Sequence, residues 1–143
     1  MSNWIYKKQE FTDIPEGAIG FVYVIAINGC FYYGKKNFYS KRNVPKGKRE
    51  LAAQDGRASK KKLVVTESNW RTYCSSSESI KALVLKGHEP YREILSICYS
   101  MKELSFKESK YIFNAIQDEN NLNDNVQGKY FKEEINSWQK DTE

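Results

Sequence analysis

The chain has few of the residues that cross-link small proteins. Its 143 residues include three cysteines and one histidine. Cys30, Cys74 and Cys98 are odd in number and show no CxxC spacing, and His88 alone cannot complete a zinc ligand set with them. We therefore expect reduced thiols, with neither a disulfide framework nor a structural zinc site.

Long apolar runs are also missing from the sequence. No stretch approaches the roughly 18 apolar residues that a membrane-spanning helix needs, and the first residues lack the apolar core of a secretion signal. Apolar residues still make up 40% of the chain and aromatic residues 14%, which excludes an intrinsically disordered chain. The sequence predicts one globular domain over residues 1–143, cytoplasmic and without a membrane partner.

Positive charge is concentrated in one segment. The chain carries 23 basic and 18 acidic side chains, a net charge of +5. Residues 35–62 contain eleven basic and two acidic side chains, so this segment alone carries +9. Concentrated cations favour a polyanion, because phosphate binding releases counterions; a solvated, loop-rich surface segment is the alternative. The candidate nucleic-acid contacts are Lys35, Lys36, Lys46, Arg49, Lys60 and Lys61.

A β-hairpin is the clearest local structure in the sequence. Two strand-forming runs flank Asn28 and Gly29, a pair typical of a two-residue hairpin turn. This turn predicts that Tyr23 pairs with Gly34 and that Tyr32 projects from the same face as Tyr23. Because Gly34 has no side chain, we expect space for a substrate beside the tyrosine hydroxyls; two ordinary core tyrosines are the alternative.

Two helices and a third strand are predicted downstream. Residues 77–86 indicate a short helix, residues 91–98 alternate as a central strand does, and residues 101–117 have helical spacing. On the last helix Glu108 falls on the apolar stripe. A carboxylate that faces the core needs a cation, hydrogen bonds or a metal, and Arg42 is a candidate cation for a structural ion pair.

These features together resemble the GIY-YIG nuclease family. The triad Phe21-Val22-Tyr23, the triad Tyr32-Tyr33-Gly34 and Arg42 follow the order and spacing of its motifs, although Phe21 and Tyr33 replace the outer Gly and Ile of the family name. The setting of Glu108 before an aromatic residue and an isoleucine is similar to the family's metal-binding glutamate.

Two further segments are similar to the phage-borne segE-like members of this family. They are residues 70–76, before the middle helix, and residues 122–125, after the last one. An asparagine commonly follows the glutamate helix in this family. Asn123 is our choice for it and is a further candidate nucleic-acid contact, and Asn125 stays an alternative.

The resemblance implies a fold of the α/β (α+β) class. Its core is a small three-stranded antiparallel sheet flanked by helices in the order β-β-α-α-β-α. We expect the nuclease core over about residues 20–125 and a C-terminal helical tail over residues 126–143. The aromatic stripe of that tail favours docking on the domain or on a second subunit, which would make a homo-oligomer.

The resemblance also implies a metal-dependent endonuclease that acts on double-stranded DNA. Tyr23 would be the general base, with Tyr32 and nearby cations lowering its pKa, and Arg42 would contact the scissile phosphate. Glu108 would hold one Mg²⁺ or Mn²⁺ ion. Two alternatives stay open: a non-catalytic nucleic-acid-binding protein on the same fold, and a structural or protein-interaction domain.

Overall fold

The hairpin with the two tyrosines lies inside a larger sheet. The computed structural model describes residues 1–138, which form nine strands and four helices. In chain order these are β1 (Ile5–Tyr6), β2 (Gln9–Glu10), β3 (Gly20–Ile27), β4 (Cys30–Asn37), β5 (Tyr39–Pro45), α1 (Lys48–Ala53), β6 (Lys61–Glu67), α2 (Glu78–Leu85), β7 (Tyr91–Cys98), α3 (Met101–Ala115), β8 (Asn125–Val126), β9 (Tyr130–Phe131) and α4 (Lys132–Ser137).

The hairpin register predicted from the turn is confirmed. Strands β3 and β4 pair antiparallel, with Tyr23 opposite Gly34 and Ile25 opposite Tyr32. The turn residue Asn28 has a φ of 49° and the glycine after it a φ of 77°. Both are left-handed values, which is why the Asn-Gly pair fixes this turn.

The central sheet has five strands, and the predicted three-stranded sheet forms one side of it, with β4 at the edge. The strand order is β2-β1-β7-β3-β4; β7 pairs antiparallel with β3, and β1 pairs parallel with β7. Strands β1 and β2 have two residues each, too short for a periodic pattern to reveal them. Trp4, beside β1, is buried in the main core, so the core begins well before the expected boundary at residue 20.

Two of the helices cover opposite faces of this sheet. Ser77 caps α2 by accepting a hydrogen bond from the Ile80 amide, and Ser100 caps α3 in the same way. Ile80 of α2 packs in the main core with Tyr23. Leu104 of α3 packs against Val22, whose side chain leaves β3 on the other side. Both predicted helices are confirmed.

The basic segment is more regular than predicted. Strands β5 and β6 form a separate two-stranded antiparallel sheet, which we call the ribbon, and α1 lies in the connection between them. The order β-β-α-α-β-α is therefore wrong in its detail, because a strand-helix-strand unit separates β4 from α2. Its strands were hard to predict because lysines and one proline interrupt their alternation.

The C-terminal tail begins with strands instead of a helix. Strands β8 and β9 pair before the short α4 starts at Lys132. Tyr130 and Ile135 pack against the apolar end of α3, so this part of the tail docks on its own domain, one of the two expected placements. Phe131 and Trp138 are exposed. The last part of the expected tail, residues 139–143, lies outside the described residues. Within residues 1–138, no helix is long and apolar enough to cross a membrane.

Candidate active-site groove

The outer edge of β4 is closed by the segment that follows α3. The Phe31 amide donates to the Asn120 carbonyl at 2.9 Å, and the Leu122 amide donates to the Phe31 carbonyl at 2.8 Å. At Tyr33, two residues after Phe31, the side chain of Asn123 takes the place of a neighbouring strand. Its Oδ1 accepts from the Tyr33 amide at 2.9 Å and its Nδ2 donates to the Tyr33 carbonyl at 2.8 Å. These bonds hold the strand that carries Tyr32 and Gly34.

Asn123 is therefore not a nucleic-acid contact in this structure, contrary to the sequence-based expectation. Its side chain is only 4% exposed, and both polar atoms of the carboxamide are used by β4. Asn125, the alternative asparagine, accepts a hydrogen bond from the Gly128 amide and shapes the turn between β8 and β9. The structure gives both side chains a positioning role.

Glu108 lies next to Lys35, further along the β4 edge. Its carboxylate is half-buried on α3, and this burial raises its pKa above the usual value for a glutamate. The ammonium of Lys35 and a hydrogen bond from the Lys35 main chain act in the opposite direction. Within residues 1–138 Glu108 forms no salt bridge. The ion pair with Arg42, the structural alternative, is not formed.

Tyr32 and Glu108 line the same open groove. The groove has a volume of about 480 Å³, and Asn123 and Asp124 form part of its wall. Tyr32 shares a sheet face with Tyr23, whereas Glu108 lies on α3, which packs on the opposite face. The groove thus wraps around the β4 edge and brings together side chains from both faces of the sheet. Burial, together with the negative charge of Glu108, raises the pKa of the Tyr32 hydroxyl.

Tyr23 occupies the space that the sequence assigned to a substrate. A Cβ added to Gly34 would lie 2.4 Å from the Tyr23 hydroxyl oxygen, so the phenol itself fills the position above this glycine. Tyr23 is only 1% exposed, and burial raises its pKa above the usual value, with Tyr73 and Tyr32 adding to the rise and a hydrogen bond with Ser75 opposing it. The expected lowering of its pKa is wrong for this structure.

A buried arginine, which the sequence reasoning missed, supports the loop that carries Ser75. Arg92 projects from β7, lies over the Trp4 ring, and donates to the carbonyls of Arg71 at 3.1 Å and Tyr73 at 2.7 Å. Ser75 itself has a φ of 76°, a strained value for a residue other than glycine. The signal in the sequence was an arginine within a predicted central strand, a place where apolar side chains are usual.

None of the basic side chains predicted to bind nucleic acid lines this groove. Arg42 is exposed on β5 opposite Val64 and does not line the groove of Tyr32 and Glu108, contrary to the expectation. Lys36 lies over the Tyr73 ring at 4.2 Å, and Lys46 donates to Gln54. The remaining candidates are exposed on or beside the ribbon: Arg49, Lys60 and Lys61.

The residues of the groove suit a hard cation that keeps most of its water ligands. Within residues 1–138 no group of three or more His, Cys, Asp and Glu side chains could hold a metal ion. Glu108 nevertheless offers a partly desolvated carboxylate in an open groove, and Asp124 lies in the same wall. An ion such as Mg²⁺ keeps several waters and needs only one or two carboxylates, so these residues fit it.

The three antiparallel strands, the paired tyrosines and the glutamate on the following helix define a domain of the GIY-YIG type. A sequence model described as "Putative endonuclease segE, GIY-YIG domain" matches residues 4–135. The chain belongs to this family, within the GIY-YIG nuclease superfamily. No curated protein and no solved structure matches the chain.

Proposed function

We propose that the protein is a metal-dependent endonuclease that hydrolyses phosphodiester bonds in double-stranded DNA. Its segE-like family supports a phage-encoded, homing-type role. The observation that carries the proposal is the half-buried Glu108 carboxylate, which faces the same groove as Tyr32, beside a lysine and without a salt bridge among residues 1–138. A buried charge without such a partner costs stability, which points to a functional use for it.

Glu108 would hold the metal ion, and Asp124, which lines the same groove, would bind one of its waters. When bound, one Mg²⁺ or Mn²⁺ ion would neutralise charge on the phosphate and stabilise the leaving oxygen. Lys35 would add a positive charge beside the same phosphate, because its ammonium already acts on the Glu108 carboxylate.

Tyr32 is the better candidate for the hydroxyl that meets the attacking water. It lines the groove, whereas the Tyr23 hydroxyl is enclosed above Gly34 and has a raised pKa. A phenol with a raised pKa is neutral at pH 7, so we infer that Tyr32 orients the water through hydrogen bonds. Tyr23 would hold Ser75 and Tyr32 in position.

The test is cleavage of supercoiled plasmid DNA in Mg²⁺ by wild type and by Glu108→Gln. Replacing Glu108, the metal ligand, should slow cleavage by more than about a hundredfold. Even the loss of a group that only hydrogen-bonds to a metal ligand costs up to about a hundredfold in activity. Glu103→Gln is the matched control, because Glu103 lies on the same helix but outside the groove and pairs with Lys107. Equal cleavage by Glu108→Gln and wild type would contradict the proposal.

A second candidate is a DNA-binding protein that does not cleave. The burial of the Tyr23 hydroxyl favours it, because this tyrosine stands at the position that the family resemblance makes the base. This candidate predicts salt-dependent binding to duplex DNA and no strand breaks with Mg²⁺ or Mn²⁺. Strand breaks that disappear in EDTA would exclude it.

A further inference from the structure

The two faces of the ribbon differ in their contacts. In its register Lys41 pairs with Val65 and Asn43 with Leu63, and opposed residues of an antiparallel pair share a face. This face, which we call the outer face, consists of Tyr39, Lys41, Asn43, Lys61, Leu63 and Val65 together with the end residues Pro45 and Glu67. The first six of these side chains, from Tyr39 to Val65 in that order, are all exposed.

The opposite face of the ribbon is joined by polar contacts to the connection that contains α1. Lys62 forms a salt bridge with Glu50 of α1 at 2.5 Å, and Lys46 donates to Gln54 at 2.6 Å. Val44 and Val64 on this face are half-buried. The two valines of this face are thus partly shielded from solvent, whereas Leu63 is 59% and Val65 is 52% exposed on the outer face.

The base of the ribbon is fixed to the body of the protein. Phe38, before β5, and Trp70, after β6, are both buried in the main core. Ser68 joins the two sides, because its amide donates to the Phe38 carbonyl at 2.8 Å and its hydroxyl to the Asn37 carbonyl at 2.6 Å. The direction of the ribbon relative to the sheet is therefore set by core packing.

A second groove connects the outer face with Lys35, the lysine next to Glu108. Tyr39, Lys41 and Val65 line it together with Lys35 and Lys36, over a volume of about 740 Å³. Lys35 is the residue whose ammonium also acts on the Glu108 carboxylate. A polyanion bound along these lysines would lie between the candidate active site and the ribbon.

We propose that the outer face of the ribbon enters the major groove of duplex DNA and reads base edges there. This rests on the proposed function and deepens it, because it names where the nuclease would select its target. The major groove is about 12 Å wide and admits a two-stranded β-ribbon. Seven residues per strand extend about 23 Å at roughly 3.3 Å per residue, which spans several base pairs.

The side chains of the outer face suit direct readout. Asn43 offers both a donor and an acceptor, the pair that recognises adenine in the major groove. Leu63 and Val65 would meet thymine methyl groups, and Lys41 and Lys61 would contact guanine edges or phosphates. The charge of the segment complements DNA, since residues 35–62 carry eleven basic and two acidic side chains.

The experiment is selection of bound sequences from a pool of randomised DNA duplexes, in EDTA so that cleavage plays no part. Full-length wild type is compared with Asn43→Ala and Leu63→Ser. The controls are Lys81→Ala and Leu85→Ser on α2, which remove an exposed charge and an apolar side chain that is 88% exposed. Each ribbon variant should lose on the order of tenfold preference at its own base position. The controls should keep the wild-type preference.

The possible results separate this inference from the proposed function. A wild-type preference that both ribbon variants retain would overturn the inference, as would binding without any preference, even if the protein cleaves DNA. If Leu63→Ser instead turns a dimer into a monomer without changing the preference, the outer face is a subunit interface and the inference fails. Altered preference in a protein that never cleaves would support the inference and reject the nuclease proposal.

Discussion

The groove at the β4 edge and the ribbon differ in how far their charged side chains are exposed to solvent. In the groove, Glu108 is half-buried and burial raises its pKa, and neighbouring main-chain groups are held by the side chain of Asn123. On the ribbon, all but two of the strand residues are exposed, and the candidate DNA contacts there are long basic side chains. A desolvated, fixed site suits chemistry, whereas an exposed cationic surface suits binding.

The comparison indicates that the two tasks are separable. The groove depends on close packing behind it, as the contact between Tyr23 and Gly34 illustrates. The ribbon depends on the number and spacing of its charges. Substitutions in the groove should therefore change rates, and substitutions on the ribbon should change affinity and sequence preference.

The largest expected effect in the groove, after loss of Glu108, is that of Tyr32→Phe. Removing the hydroxyl that faces the groove should lower the cleavage rate about a hundredfold, the lower range for loss of acid–base assistance. Tyr23→Phe should cost less than about tenfold, because that hydroxyl acts only through its neighbours. Single-turnover cleavage at saturating protein measures both. The reverse order would make the buried Tyr23 the reacting group.

Gly34→Ala tests whether the groove depends on close packing. The new Cβ would meet the Tyr23 ring at 2.4–2.5 Å, so the variant should lose about 2 kcal/mol of unfolding free energy. Gly47→Ala is the matched control, since a Cβ there meets no atom within 4 Å and φ is −69°. Urea unfolding measures both variants. An unaffected Gly34→Ala would mean that Tyr23 does not rest against this glycine.

The double substitution Lys60→Ala with Lys61→Ala probes the ribbon. It should weaken duplex binding and reduce the slope of log affinity against log salt by about 2, close to 0.9 for each lost phosphate contact. The control is the double variant Lys81→Ala with Lys129→Ala, which also removes two positive charges but at positions outside the ribbon. Titrations between low and physiological salt measure the slopes. Equal slopes for the two double variants would exclude the ribbon as the binding surface.

The smallest expected effect is a pH-dependent difference in stability between Glu108→Gln and wild type, measured in EDTA. Because the pKa of Glu108 is raised in the folded state, the folded protein holds this proton more tightly than the unfolded chain. Wild type should therefore lose stability as the pH rises from about 4.5 through the folded-state pKa, and the glutamine variant should not. Thermal melts should favour the variant by about 1–3 °C at pH 8 and converge near pH 4. A constant difference would contradict the raised pKa.

The local elements of the fold could be predicted because their signals are local. The Asn28-Gly29 turn set the hairpin register, and Ser77 and Ser100 began the two main helices where the sequence indicated. The position of Glu108 on the apolar stripe of α3 predicted a partly buried carboxylate. Each of these depends on residues within a few positions of one another.

The parts that were missed depend on residues far apart in the chain. Asn123 was identified as a notable asparagine, but its bonds to Tyr33 cross 90 positions, and its role could not be read locally. The enclosure of Tyr23 depends on Ser75 and on Arg92, which lie on other elements. Arg42 was placed near the phosphate by the family resemblance, whereas the structure puts it on the exposed ribbon, opposite Val64 and outside the groove of Glu108.

The most direct test of the account is to measure cleavage rate and DNA affinity on the same preparations of three proteins. These are wild type, Glu108→Gln and the double variant Lys60→Ala with Lys61→Ala. The account predicts that Glu108→Gln binds duplex DNA like wild type in EDTA but cleaves more than about a hundredfold more slowly in Mg²⁺. It predicts that the lysine variant binds more weakly yet cleaves at the wild-type rate at saturating protein. Rate and affinity that fall together in both variants would contradict the separation of chemistry from binding.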